Sequence, residues 1–385
     1  GGVVLDLCDV TGIRDVDDTS LTVDVLAGTF GDHYEAQLRA NHGLTGGHWP
    51  QSMALATVGG WIACRGAGQL SGRYGKIEDM VVGLEVALAN GTLLRTGGAP
   101  RSAVGPDLTQ LFVGSEGTLG VITGAVLRLF PATPRHATAW VAVPGVGAAV
   151  ALLGVAQQHA GAHLSTFEIA NRQALELVLA HLPGASDPLA APSEWYVLVE
   201  LAGAESDGGL DDALESILGE AVERDLASDA AVAGSRAQRS ALWALREGIS
   251  EAQKVEGATL KHDVTLSIAR LADWVAEIGP VLEQRLPGVR PVTYGHVGDG
   301  NLHYNLSAPA GGDDDLRAAA ADLSTAIYDA VAAGHGSISA EHGLGRTKAA
   351  AGASYKSAVE VDLMRAVKQA LDPDGLMNPG VLLPG

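Results

Sequence analysis

The sequence predicts an α+β protein of more than one domain, with an antiparallel sheet in its second half. Three observations carry that expectation. Beyond residue 134, short apolar runs alternate with Ala-rich helical stretches, the pattern of a self-contained α+β domain. At 294–305, YGHVGDGNLHYN sets two apolar, aromatic-containing runs around Asp299-Gly300. That is the strongest short-range hairpin signal, because Gly tolerates the positive φ of a type I′ turn. Before residue 131 the chain is β-rich and dense in glycine. A chain of 385 residues has length for two or three domains and an ample core.

Taken in order, residues 3–7 read as a buried strand, 21–25 as a half-exposed strand and 32–41 as a short helix. TVGGWIACRGAG at 57–68 holds too much glycine for an ordinary helix or strand, and such a stretch lets backbone N–H groups crowd an anion. Residues 81–88 and 92–96 pair as strands about an Asn90-Gly91 turn. GSEGTLGVIT at 114–123 is a second Gly-rich piece, and the two together imply a nucleotide cradle. Pro131 to Pro134 marks a boundary. The uncharged run 137–159 is broken by Pro144, Gly145 and Gly147, so it reads as a strand (138–143) and a helix (146–158), not a membrane span. A helix at 172–181, a strand at 195–201 and a helix at 210–223 follow, with a solvated acidic loop at 203–209. Residues 241–252 read as one helix with Arg246 and Ser250 on one face, 260–266 as a strand, and 313–333 and 359–371 as helices.

Composition narrows the function. The net charge of −20 argues against nucleic acid and anionic membrane surfaces as main partners. A small anionic substrate would therefore need a local basic pocket. With 47% hydrophobic residues the chain is not a disordered one. Cys8 and Cys64 are the only cysteines, which excludes a disulfide framework and implies a reducing compartment. A packing role is expected for the Cys64 thiol, which reads as buried.

The hairpin also suggests chemistry. With Asp299-Gly300 at its tip, position 298 faces 301 and His296 faces His303, their Cβ atoms roughly 5 Å apart. SAEHG at 339–343 offers Glu341 as a third ligand, and two imidazoles with one carboxylate make the open site of a catalytic zinc. Packing of two cross-strand histidines is the plainer alternative. Arg246 and Lys261 taken alone would be surface ion-pair partners.

The order of these motifs resembles the FAD-linked oxidases and dehydrogenases of the vanillyl-alcohol-oxidase fold, and within them the D-2-hydroxyacid (D-lactate, glycolate and D-2-hydroxyglutarate) dehydrogenases. TVGGWIACRGAG, GPDLTQLFVGSEGTLGVIT, YGHVGDGNLHYN, SAEHGLGR and LDPDGLMNPG carry the likeness across essentially the whole chain. The resemblance implies an FAD-binding domain at 1–133, a substrate or cap domain at 134–365 with an antiparallel sheet, and a C-terminal return at 366–385. It implies FAD contacts from Pro50, Thr57, Gly59, Gly60 and Gly66, and from Glu116, Gly117, Gly120, Val121, Ile122 and Asn378. It further implies a divalent metal, zinc by preference, on His296, His303 and Glu341, with His342 as the base. Arg246, Lys261 and Asn305 would bind the substrate carboxylate, and Ser250 stands where the hydroxyglutarate enzymes are expected to carry Thr. The implied activity is oxidation of a D-2-hydroxyacid with hydride transfer to flavin. Electrons would pass to a quinone, electron-transfer flavoprotein or cytochrome, in the cytoplasm or peripherally at the inner membrane face, with a homodimer admitted.

Two rivals stand beside this reading. TVGGWIACRGAG with RYGKIED also resembles alkyldihydroxyacetonephosphate synthase, a non-redox flavoenzyme of the same fold, which has a histidine run where this chain has Ser339 to His342. The third is an FAD-free, non-catalytic remnant. Members of the family carry a Gly-rich pyrophosphate loop ahead of the segment matching residues 2–7, so the chain, which starts Gly1-Gly2, is expected to be N-terminally incomplete and to hold FAD weakly.

Overall fold

A computed structural model describes residues 2–98, 102–204 and 206–384. Two compact units emerge: Gly1–Ala132 with Glu341–Gly385, and Thr133–Ala340.

The first unit is built on a five-stranded antiparallel sheet in the order Ile13–Asp17, Thr22–Leu26, Val121–Arg128, Val81–Ala87, Leu93–Gly97. The Asn90-Gly91 hairpin forms as its sequence implies, with Gly91 at φ +79°. Val23, Val25, Val86, Ile122 and Leu127 face a core completed by Trp61, Ile62 and Phe112, and Val367 and Leu371 of the Ala358–Leu371 helix pack against it. Residues 2–7 form no strand, contrary to expectation; Val3 and Val4 are almost fully exposed, and no described strand pairs with them. The Gly-dense segment does contain a helix, Val58–Cys64, capped by the Thr57 hydroxyl, which accepts from Gly60 N at 3.3 Å. Glycine survives in that helix because it packs closely. A Cβ on Gly59 would lie 2.7 Å from the Ala27 Cβ. Cys64, expected to be buried, ends this helix in an exposed position.

The second unit carries an eight-stranded antiparallel sheet in the order Asp229–Val232, Arg135–Val143, Trp195–Gly203, Leu164–Asn171, Arg290–His296, Asn301–Ser307, Thr259–Leu260, with Asp263–Thr265 also on Asn301–Ser307. Both faces are covered. Trp140, Tyr196, Leu198, Val292 and Tyr294 pack with helices Arg172–His181, Arg236–Glu247 and Ile249–Glu256. The alternate residues Ala139, Val141, Val197 and Val199 are buried as well. The strand and helix expected within 137–159 are present, and among the described residues no helix is long and apolar enough to cross a membrane. The Trp195–Gly203 strand ends at the acidic loop, where Ala204 N donates to Asp207 Oδ2 at 2.7 Å; Glu205 lies outside the described residues.

Three expectations change here. The hairpin pairs Tyr294, not His296, with His303, a shift of two residues. Gly295 and His296 instead continue their ladder with Ile169 and Glu168, and a 3-10 turn at Val297–Asp299 closes the loop. A shift of two preserves the face each side chain points to, so both histidines stay on one side of the sheet. The helix expected at 241–252 breaks at Gly248, where a Cβ would lie 2.4 Å from Leu182 Cδ2. Arg246 and Ser250 therefore stand on different helices. The strand expected at 260–266 is interrupted at Lys261 and His262, because the Asn305 side chain takes the His262 N–H (3.1 Å) in place of a ladder carbonyl.

Candidate active site

A closed circuit of side chains forms on one face of the second unit's sheet. Glu168 and His296 are cross-strand partners, and the carboxylate Oε1 meets His296 Nδ1. Its other oxygen accepts from Arg246 Nε at 2.7 Å. The Arg246 guanidinium stacks over Tyr294 at 4.6 Å, the Tyr294 ring is 4.9 Å from His303, and His303 is 5.8 Å from His296. Glu168 is 1% exposed and Arg246 2%. Burial by itself would raise the Glu168 pKa, but His296 and Arg246 more than offset it, so the carboxylate stays ionised below its ordinary range. Arg246 Nη1 is buried with no partner among the described residues. An unmatched, buried guanidinium N–H calls for an acceptor, and a carboxylate matches its charge.

The other expected residues are distributed as follows. Lys261 is exposed, its Nζ 3.4 Å from Ser250 Oγ. Asn305 is buried between two commitments: Oδ1 accepts from His262 N, and Nδ2 donates to Gln253 Oε1 at 2.8 Å. Gln253 is fully buried, and its own Nε2 has no partner among the described residues. Asp263, which the sequence did not single out, stands beside His303 (Oδ1 to Nδ1, 3.9 Å) and accepts from Ala340 N at 3.1 Å. In the first unit, Glu341 lies 3.5 Å from His342 Nε2, and the His342 side chain is 61% exposed.

Sequence reasoning missed Glu168 and Asp263. A lone acid in the apolar strand LSTFEIAN was the available signal for Glu168, since a buried carboxylate requires partners. Glu116 was expected to touch the cofactor. Its carboxylate accepts from Leu344 N and Gly345 N, both at 2.8 Å, and thereby fastens the loop that carries Glu341 and His342.

The Gly-rich segments of the first unit divide between close packing and open space. Gly59 and Gly120 answer to packing, a Gly120 Cβ falling 2.7 Å from Val86 Cγ1. Val121 and Ile122 pair with Ala87 and Val86. Pro50 O accepts from Met53 N, and Asn378 Nδ2 donates to Glu116 O. Gly60, Gly66 and Gly117 leave room, since a Cβ on each would meet nothing closer than 3.4 Å. Beside Gly60 and Gly66, both His48 ring nitrogens and Trp61 Nε1 are buried without partners among the described residues, the two rings 4.8 Å apart. Burial pushes the His48 pKa down to about 4, so the ring is neutral at pH 7 and offers one donor and one acceptor. Orphaned donors and acceptors beside open glycines fit a polar, planar cofactor.

Residues 133–382 match the model of the FAD linked oxidases, C-terminal domain, and residues 1–97 match that of an FAD binding domain. The chain belongs to the FAD-linked oxidases. This FAD-linked oxidase is 36% identical over 329 residues to the mitochondrial D-2-hydroxyglutarate dehydrogenase of Arabidopsis thaliana, a match that covers 85% of the chain and 57% of the plant protein. Among solved structures it resembles p-cresol methylhydroxylase (TM-score 0.75, 18% identity, 99% of this chain and 79% of that one). It also resembles alkyldihydroxyacetonephosphate synthase (TM-score 0.71, 18% identity, 97% of this chain and 67% of that one). These likenesses show the vanillyl-alcohol-oxidase type of fold, as expected from the motifs.

Proposed function

We propose that this FAD-linked oxidase oxidises a D-2-hydroxyacid to the 2-oxoacid. The observation that carries the reading is Arg246: a buried, permanently charged group whose Nη1 has no partner among the described residues, on the sheet face that presents two histidines. The relatives' dehydrogenase names support the same reading. Arg246 Nη1 would take the substrate carboxylate, with Lys261, Ser250 and Asn305 as further polar contacts. FAD, when bound in the first unit, supplies the hydride acceptor for C2, and a divalent metal, zinc by preference, supplies acidification of the C2 hydroxyl. The metal would be held by His296, His303 and Glu341; Asp263, beside His303, is a fourth candidate ligand of the right chemistry. The imidazole of His342 would take the hydroxyl proton. Oxidation removes the C2 hydrogen as hydride, carrying both electrons, and the hydroxyl hydrogen as a proton, so reoxidation of the flavin needs an acceptor of the quinone, electron-transfer flavoprotein or cytochrome class.

The test is a panel of D- and L-2-hydroxyacids assayed by dye reduction with the FAD-loaded chain, with metal analysis on the same preparation. Stereospecific dye reduction by a D-2-hydroxyacid is expected. An FAD-loaded chain that reduces dye with none of them would overturn the reading and return the non-redox alternative to the fore.

A further inference from the structure

The buried acid at position 168 has a role that neither motif nor family likeness assigns. Glu168 is the one carboxylate shared by the guanidinium proposed to bind substrate and an imidazole proposed to bind metal. Its two oxygens are divided between them, Oε2 to Arg246 Nε and Oε1 to His296 Nδ1.

That division has a chemical consequence. An ionised carboxylate only accepts hydrogen bonds, so the nitrogen facing it must carry hydrogen. His296 Nδ1 is then the N–H, and Nε2 is left with the lone pair that a metal requires. The same argument fixes the fork of Arg246. With Nε held by Glu168 and the plane pressed on Tyr294, the Nη1 edge is the one left to point elsewhere. We infer that Glu168 is a positioning residue that sets the His296 tautomer and the Arg246 orientation together, so that the metal-ligating nitrogen and the anion-binding edge are presented by one group. The inference rests on the functional reading above, and it deepens the reading by naming what prepares the site.

Two measurements test it, one of them independent of metal and of activity. In metal-free wild-type chain labelled with nitrogen-15 histidine, at mildly alkaline pH, the His296 resonances (assigned with a His296→Asn variant) should show a protonated Nδ1 and a bare Nε2. Any other state of that ring would overturn the inference. The second uses Glu168→Gln. The amide keeps an oxygen for Arg246 Nε but turns an NH2 toward His296, which forces the opposite tautomer in a side chain of the same size. Zinc Kd should rise about 10- to 100-fold, the usual cost of losing such a partner, with the tautomer reversed. A merely space-filling Glu168 would leave both unchanged. Should the single variant fail to fold because Arg246 is left buried without its counter-charge, Glu168→Gln with Arg246→Met removes the charge and still reads the tautomer. Wild-type chain that binds no zinc would refute the metal assignment, while the metal-free tautomer still decides the role of Glu168.

Discussion

Replacing Arg246 with lysine isolates the proposed anion contact from the structural ion pair. Lysine keeps the positive charge beside Glu168, so the buried carboxylate is not orphaned, but one ammonium cannot reproduce the second edge of a guanidinium fork. What is lost is the Nη1 hydrogen bond to the substrate carboxylate, a charge-assisted contact worth about 1.5–3 kcal/mol. At about 1.4 kcal/mol per factor of ten, kcat/KM should fall roughly 10- to 150-fold. Because the contact does not involve the reacting hydrogen, the loss should sit mainly in KM. The assay is dye reduction over a range of hydroxyacid concentrations, with FAD content and thermal unfolding measured on the same sample. Arg246→Ala is the contrasting variant: it leaves Glu168 buried with His296 alone and should cost about 3–5 kcal/mol of stability. If Arg246→Lys keeps KM within about threefold of wild type, equivalent to roughly 0.7 kcal/mol, Nη1 does not bind the carboxylate and the substrate assignment fails.

Other perturbations have expected outcomes of their own. Glu200 is buried beneath Thr138, Arg239, Trp243 and His136; burial would raise its pKa, but hydrogen bonds led by His136 and Arg239 hold it near 2 against an ordinary 4.5. At about 1.4 kcal/mol per pKa unit this is worth roughly 3 kcal/mol. The folded-state value is the lower one, so the stabilisation is complete above pH 4.5 and is lost as pH falls toward 2. Urea unfolding across that window should show a loss in Glu200→Gln that is smaller than the wild-type loss by about that amount, and an equal loss in both would refute the assignment. Glu116→Ala removes the acceptor for Leu344 N and Gly345 N and should lower kcat at least about tenfold, while limited proteolysis at residues 341–348 becomes faster; unchanged kcat and cleavage would argue against its clamping role. Gly59→Leu should destabilise the first unit by about 1–3 kcal/mol through overpacking on Ala27, whereas Gly60→Ala, whose Cβ meets nothing closer than 3.4 Å, should leave the melting temperature nearly unchanged.

Local patterning was enough to determine much of this protein. Helices at Arg172–His181, Leu210–Glu223 and Asp313–Ala333, and the strands around Asn90-Gly91, follow from apolar periodicity and turn chemistry that act over a few residues. That His296 and His303 share one face was legible for the same reason, since strand alternation survives a two-residue error in register. Tertiary structure decided the register itself: His296 is drawn into the ladder with Glu168, a partner 128 positions away, and the hairpin loop widens to allow it. It also decided that position 248, between the two helices, must be glycine, because Leu182 occupies the space a side chain would need. And it made the Glu116 carboxylate the fastening of a loop more than two hundred residues downstream. In each case the deciding atom lies far along the chain, where periodicity carries no information and only burial and the demand of a charged group for partners select the outcome.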